Sequence, residues 1–148
     1  MNLPKSLFTA TAKEREVFYF STDKINTEES HYFICIKKSF NEIIMFTCCT
    51  TQFEKRERYI KLKGYPTSTL VYIKPDSSNG LKQDTWVDCN KFMPFTSDEF
   101  KALCESGKIE YKGEVSDIYY EQILIGLHAS PAIEGVVKDD LPDPADIC

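Results

Sequence analysis

His31-Tyr32-Phe33-Ile34-Cys35-Ile36-Lys37-Lys38 and Glu42-Ile43-Ile44-Met45-Phe46-Thr47-Cys48-Cys49-Thr50 are two runs rich in β-branched and aromatic residues, separated only by Ser39-Phe40-Asn41. Side chains of this kind fit a pleated surface, and two such runs around a short turn read as a β-hairpin. Both runs are apolar at successive positions rather than at alternate ones. Each strand is therefore predicted to be covered on both faces.

Further strands flank the hairpin. Val17-Phe18-Tyr19-Phe20 is a short apolar run, followed by a polar loop from Ser21 to Ser30. Glu57-Arg58-Tyr59-Ile60-Lys61-Leu62-Lys63 alternates somewhat and ends at Gly64, which predicts a half-exposed third strand. Thr69 to Lys74 is a fourth, Pro75-Asp76-Ser77-Ser78-Asn79-Gly80 a loop, and Thr85-Trp86-Val87-Asp88-Cys89 a fifth. Lys108 to Gly113 is a last short strand or an extended connection.

Two helices are predicted near the end. Thr96-Ser97-Asp98-Glu99 carries a capping hydroxyl and first-turn acids, and Phe100, Leu103 and Cys104 follow on one face before Ser106-Gly107. Ser116-Asp117 opens the second helix, where Tyr120, Ile123, Leu124 and Leu127 form a stripe at helical spacing and Pro131 stops it. Strands in succession with a helix packing back predict a mainly-β, α+β fold: a strongly bent antiparallel sheet or small open barrel with a C-terminal helix.

The chain has 148 residues, enough for one domain with a core of its own. Its 42% hydrophobic content is dispersed, and no apolar run approaches the roughly 20 residues that span a bilayer. The first residues lack the apolar core of a signal peptide. A cytoplasmic protein without a membrane partner is expected. The six cysteines, Cys35, Cys48, Cys49, Cys89, Cys104 and Cys148, form no C-x-x-C pair, and His31 and His128 have no metal-ligand spacing. The thiols read as small core hydrophobes, and neither a metal nor a cofactor is expected.

The net charge is −5, which argues against a general nucleic-acid binder, but the charge is unevenly spread. Residues 134–148 hold one lysine and five acids; the first 133 hold 17 basic and 18 acidic residues. The division is a barrel domain over 1–133, close to neutral and free to carry a local basic patch, and an acidic, Pro-rich tail over 134–148. That tail is predicted to be disordered, a solvated end rather than a shield over a basic groove.

The hairpin has a geometric consequence. A two-residue loop at Phe40-Asn41, or a four-residue loop from Ser39 to Glu42, pairs Lys38 with Ile43. The same register, carried to the open end, sets His31 opposite Thr50. Opposed side chains share a face with Cβ atoms about 4.5–5.5 Å apart, and Gln52 points to the same face if the strand continues. A three-residue loop or a bulge would break the register.

Four segments resemble the MazF/PemK family of toxin ribonucleases, in the family's order. Glu16-Val17-Phe18-Tyr19-Phe20 is similar to its first strand. His31-Tyr32-Phe33-Ile34-Cys35-Ile36 is similar to the next, which usually begins Arg-Pro. Phe46-Thr47-Cys48-Cys49-Thr50-Thr51-Gln52 resembles the strand ending Thr-Thr-Gln or Thr-Ala-Gln, and Asp84 to Lys91 a later strand; Gly107 to Leu127 resembles the connection to the C-terminal helix. The resemblance covers roughly residues 14–130. It implies an SH3-like barrel of the CcdB/PemK type, usually a homodimer, that cuts single-stranded RNA without a metal and is restrained by an antitoxin protein.

By resemblance, Thr50 is one of two catalytic residues. The family's arginine position falls on His31, a departure, and the following proline is Tyr32. Arginine can only stabilise charge, whereas histidine can also exchange a proton near neutral pH. Metal-free RNA cleavage needs a base for the 2′ proton, donors for the phosphorane charge and an acid for the leaving 5′ oxygen. His31 suits the first or last, and Thr50 the second. Thr51, Gln52, Lys37, Lys55, Arg56 and Arg58 are the expected RNA-binding residues. Phe53 and Tyr59 beside those cations suit splayed bases, while Trp86 reads as core. Asp84 and Asp88, four apart on a strand, share a side but by themselves define neither a metal site nor a glycosidase. The alternative function is a non-catalytic interaction protein on the same barrel, as CcdB toxins bind gyrase without cutting RNA.

Overall fold

The fold was obtained as a computed structural model, which describes residues 12–25, 29–38 and 43–147. The predicted turn at Ser39-Phe40-Asn41 lies outside these residues. The strands are β1 (Glu16–Phe20), β2 (His31–Lys38), β3 (Ile43–Thr50), β4 (Leu70–Ile73), β5 (Thr85–Thr96) and β6 (Glu110–Glu114). The helices are α1 (Phe53–Lys63), α2 (Ser97–Glu105), α3 (Asp117–Ala129) and α4 (Gly135–Asp140), with 3-10 turns at Thr67–Thr69 and Pro144–Asp146.

All six strands join one antiparallel sheet in the order β4-β5-β3-β2-β1-β6. The sheet curls until its two edges approach. Glu114 N, on β6, donates to Ser78 O in the β4–β5 loop at 2.9 Å. Glycine makes this approach possible: a Cβ on Gly113 would lie 2.0 Å from Ser78 O, and one on Gly80 2.1 Å from Lys112 O. Buried Asn79 holds the loop from within, accepting from Asp76 N and Leu81 N and donating to Lys74 O. The result is the expected α+β fold, an antiparallel half-barrel with a C-terminal helix.

Each face of the sheet carries its own core, which explains why β2 and β3 are apolar throughout. Val17, Ile34, Ile36, Cys49, Ile73 and Val87 pack with Tyr120, Ile123, Leu124 and Leu127 of α3, the stripe expected from the sequence. On the opposite face Phe18, Phe20, Phe33, Phe46 and Phe95 pack with Phe100 and Cys104 of α2. Phe20 stacks on Phe33 at 4.2 Å and Phe46 on Phe100 at 5.7 Å. Thr96 and Glu99 close a reciprocal capping box on α2, as their spacing predicts.

Two expectations are corrected. The predicted third strand at 57–63 is the second half of α1, which runs from Phe53 and buries only Ile60. Its Glu, Lys and Arg residues favour helix. Glu57 reaches Lys61 one turn on at 3.5 Å, and Gly64 ends the helix in a left-handed conformation. The alternation was fortuitous in a helix with so small an apolar face.

The tail from residue 134 is ordered through Ile147, against the expected disorder. Leu141 is buried with the α3-side core, and Val137 and Ile147 pack against it. Lys37 Nζ donates to the Asp140 carbonyl at 2.6 Å and pairs with its carboxylate at 3.0 Å, while His128 Nε2 lies 3.0 Å from Pro142 O. Composition averages over the tail hide its three apolar anchors. No helix among the described residues is long and apolar enough to cross a membrane.

Candidate active site

β2 begins, β3 ends and β5 begins at one end of the sheet. Phe33 pairs with Cys48, Ile34 with Thr47 and Cys35 with Phe46, in the register predicted for the open end. The paired segment ends at Phe33–Cys48; His31 and Thr50 lie two residues beyond it on β2 and β3, and both line one cleft. Toward the turn the register differs: a bulge between Cys35 and Lys37 pairs Lys38 with Ile44 rather than Ile43. The bulge lies on the turn side of the paired segment, so it leaves the open end untouched.

His31 is half-buried, and its Nε2 is buried without a hydrogen-bond partner. Burial lowers the imidazole pKa below its usual value of 6.5. A hydrogen bond with the Cys49 backbone opposes this, nearby Lys91 and Arg56 add to it, and Glu29 opposes it. The ring is thus mainly neutral at pH 7, the form that accepts a proton. The Thr50 hydroxyl accepts from Gln52 N at 3.1 Å as the chain turns into α1, which leaves its own hydrogen to donate.

A cleft of about 660 Å³ opens around this pair. Its lining includes His31, Thr50, Thr51, Gln52, Lys55 and Arg56 from the predicted set. Lys37 and Arg58 do not line it. Lys37 is committed to Asp140 at 3.0 Å, and Arg58 is exposed on α1.

Thr85 and three further polar residues of the cleft come from β5. Its pairing with β3 jumps between Thr47–Phe92 and Cys48–Asp88, so Cys89, Asn90 and Lys91 are extra residues in a bulge. Bulges of this kind re-aim side chains beside functional sites. Asn90 and Lys91 line the cleft with Asp88. Asp88 is 1% exposed; its Oδ1 accepts from Asn90 N at 3.0 Å and its Oδ2 lies 3.5 Å from Arg56 Nε. The only sequence signal for this group is the polar interruption Asp88…Asn90-Lys91 in an otherwise strand-like run.

The lining carries Lys24, Lys55, Arg56 and Lys91 against Glu29 and Asp88, a local positive balance on an acidic chain. Cys48 also lines it, but burial pushes that thiol up to about 11, too high for a thiolate nucleophile at neutral pH. Asp84 accepts from the Tyr72 hydroxyl at 2.8 Å, apart from the Asp88–Arg56 pair. Trp86, half-buried, sits between Phe53 of α1 at 4.9 Å and Tyr72 of β4 at 5.4 Å. A neutral imidazole, a hydroxyl donor and several cations suit proton transfer at an anionic centre such as a phosphodiester. No protein-family model matches the chain, and no curated protein matches it.

Proposed function

We propose that the protein is a metal-independent endoribonuclease of the MazF/PemK kind, acting on single-stranded RNA. The observation that supports this best is His31 and Thr50 together in a cation-lined cleft: an imidazole with an unpartnered Nε2 at the start of β2 and a hydroxyl at the end of β3. In this reading the His31 ring turns its Nε2, which is buried in this structure, into the cleft and takes the proton of a ribose 2′-OH. The 2′ oxygen attacks the neighbouring phosphorus, and the bond to the 5′ oxygen breaks. The products are a 2′,3′-cyclic phosphate and a 5′-hydroxyl, the latter protonated by the imidazolium or by solvent. Thr50 donates to a non-bridging oxygen, and Lys55, Arg56 and Lys91 offset the phosphorane charge. Thr51 and Gln52 contact the adjoining nucleotide. Homodimer formation and restraint by an antitoxin protein belong to the same proposal.

The test is cleavage of a mixed set of single-stranded RNAs in the presence of a chelator. The wild-type protein is expected to cut them, and Thr50→Ala to cut at least ten-fold more slowly with an unchanged circular-dichroism spectrum. Folded wild-type protein that leaves every RNA intact refutes the reading.

A second reading, a non-catalytic interaction protein, has its own support. Ile118 and Ile125, seven apart on α3, are 68% and 44% exposed, a face suited to a protein partner. Growth arrest on expression with cellular RNA intact would select it.

A further inference from the structure

Asp88 is the unexplained member of the cleft. On charge alone, an acid is a liability where a polyanion binds. Its oxygens are buried, so it does not meet the substrate directly, and a buried carboxylate is costly unless well paired. Its surroundings point to Arg56. The Asn90 amide holds Oδ1, which fixes the carboxylate within the β5 bulge, and Oδ2 faces Arg56 Nε at 3.5 Å. The contact is made by Nε, and Arg56 also lines the cleft, where a guanidinium can offer its terminal nitrogens as a fork that matches a phosphate. The Tyr59 ring, 5.1 Å from the guanidinium carbon, restrains the plane. Arg56 stands in the first turn of α1, whose N-terminus no side chain caps, and its charge is felt at His31.

We propose that Arg56 is the fixed phosphate-binding group of this site and that Asp88 is the residue that positions it. The charge that the family draws from an arginine at the start of the second strand then comes from α1. His31, standing at that strand position, is left for proton transfer. This division of labour rests on the endoribonuclease reading, and its ligand is the scissile phosphodiester.

The experiment measures two quantities for the wild type, Asp88→Asn, Arg56→Gln, Arg56→Lys and the Asp88→Asn/Arg56→Gln double variant. One is kcat on a single-stranded RNA; the other is affinity for an uncleavable 2′-O-methyl RNA across a salt series. Charge alone makes Asp88→Asn bind RNA more tightly and cut no worse. Positioning makes it at least ten-fold slower in kcat. Arg56→Lys should lose as much as Arg56→Gln, because an ammonium cannot make the fork. Arg56→Gln should also flatten the salt dependence by roughly one phosphate contact, about 0.7 in the logarithmic slope for a single strand. The double variant should be no slower than Arg56→Gln. Wild-type kcat in Asp88→Asn, full activity in Arg56→Lys, or additive losses in the double variant would overturn the proposal while leaving the nuclease reading standing. A wild type that neither cuts nor binds RNA removes both. The Arg56 variants change a partly exposed helix residue, so they decide the matter even if Asp88→Asn fails to fold.

Discussion

Closure of the half-barrel can be measured by comparing two glycines. Gly80 and Gly107 have nearly the same backbone conformation, with φ of 69° and 73°. They differ in what a Cβ would meet: Lys112 O at 2.1 Å for Gly80, and nothing within 4 Å for Gly107. Alanine at Gly107 therefore carries only the left-handed strain of an L residue, about 1–2 kcal/mol. Alanine at Gly80 carries the same strain and must also move the β4–β5 loop about 1 Å from β6, since a Cβ needs at least ~3.0 Å. That motion breaks the Glu114–Ser78 hydrogen bond, about 1 kcal/mol, and disturbs the buried Asn79 network, about 1–2 kcal/mol more.

The expected loss is about 3–5 kcal/mol for Gly80→Ala against about 1–2 for Gly107→Ala. Urea unfolding at one pH measures both; at about 2–4 °C per kcal/mol for a chain near this size, the melting points should separate by roughly 4–12 °C. Equal losses would show that the loop is not clamped against β6, and the account of the curl would fail. The substitution also has a functional readout. The loop ends at Gln83 and Thr85, which line the cleft, so Gly80→Ala should weaken RNA binding and Gly107→Ala should not.

The lowered pKa of His31 sets two pH dependences. As a base it works when unprotonated, so kcat/KM should rise with pH to a plateau, with a midpoint below 6.5; a midpoint above 6.5 contradicts the environment described. For stability, the unfolded chain binds the proton first as pH falls below 6.5. The native state therefore loses stability toward acid, and none of this loss is present above the unfolded pKa. His31→Gln should flatten that slope, measured by urea titrations from pH 7 downward. Deleting residues 134–148 strips Leu141, Val137 and Ile147 from the core and Asp140 from Lys37, and should cost about 3–5 kcal/mol. An unchanged melting point would restore the view of the tail as a solvated end.

Legibility from sequence followed the physics of each element. The hairpin, α2 and α3 were readable because burial writes a period into the chain: continuous in β2 and β3, three-to-four in Tyr120, Ile123, Leu124 and Leu127. α1 was not, because a helix that buries only Ile60 leaves almost no period, and short-range alternation filled the gap. The tail failed for the opposite reason: three spaced apolar anchors disappear in an acidic average. His31 and Thr50 were found through a register argument that a bulge could have defeated, and one does exist, between Cys35 and Lys37. Asp88, Asn90 and Lys91 were missed as a group because a bulge in β5 brings them to the cleft, and bulges carry no periodic signature.

The position of the site follows from the same packing. Helix α3 covers one face of the sheet and α2 the other, with aromatic and aliphatic side chains filling both layers. Chemistry that needs an imidazole, a hydroxyl and several cations cannot be placed in either layer without burying unpaired charge. It can be placed where the layers stop. At the end of the sheet where β2 and β5 start and β3 finishes, Thr50 turns the chain into α1 and the β5 bulge breaks the ladder, so polar groups from three strands meet solvent together. Among the described residues the charged group buried there is Asp88, and it has Arg56 against it. If that pair were only a structural ion pair, replacing both partners by apolar residues of similar size should leave the fold as stable or more so. Asp88→Leu/Arg56→Met is the direct measurement: a stable, folded protein that no longer cuts RNA would show that the pair is retained for function rather than for the fold.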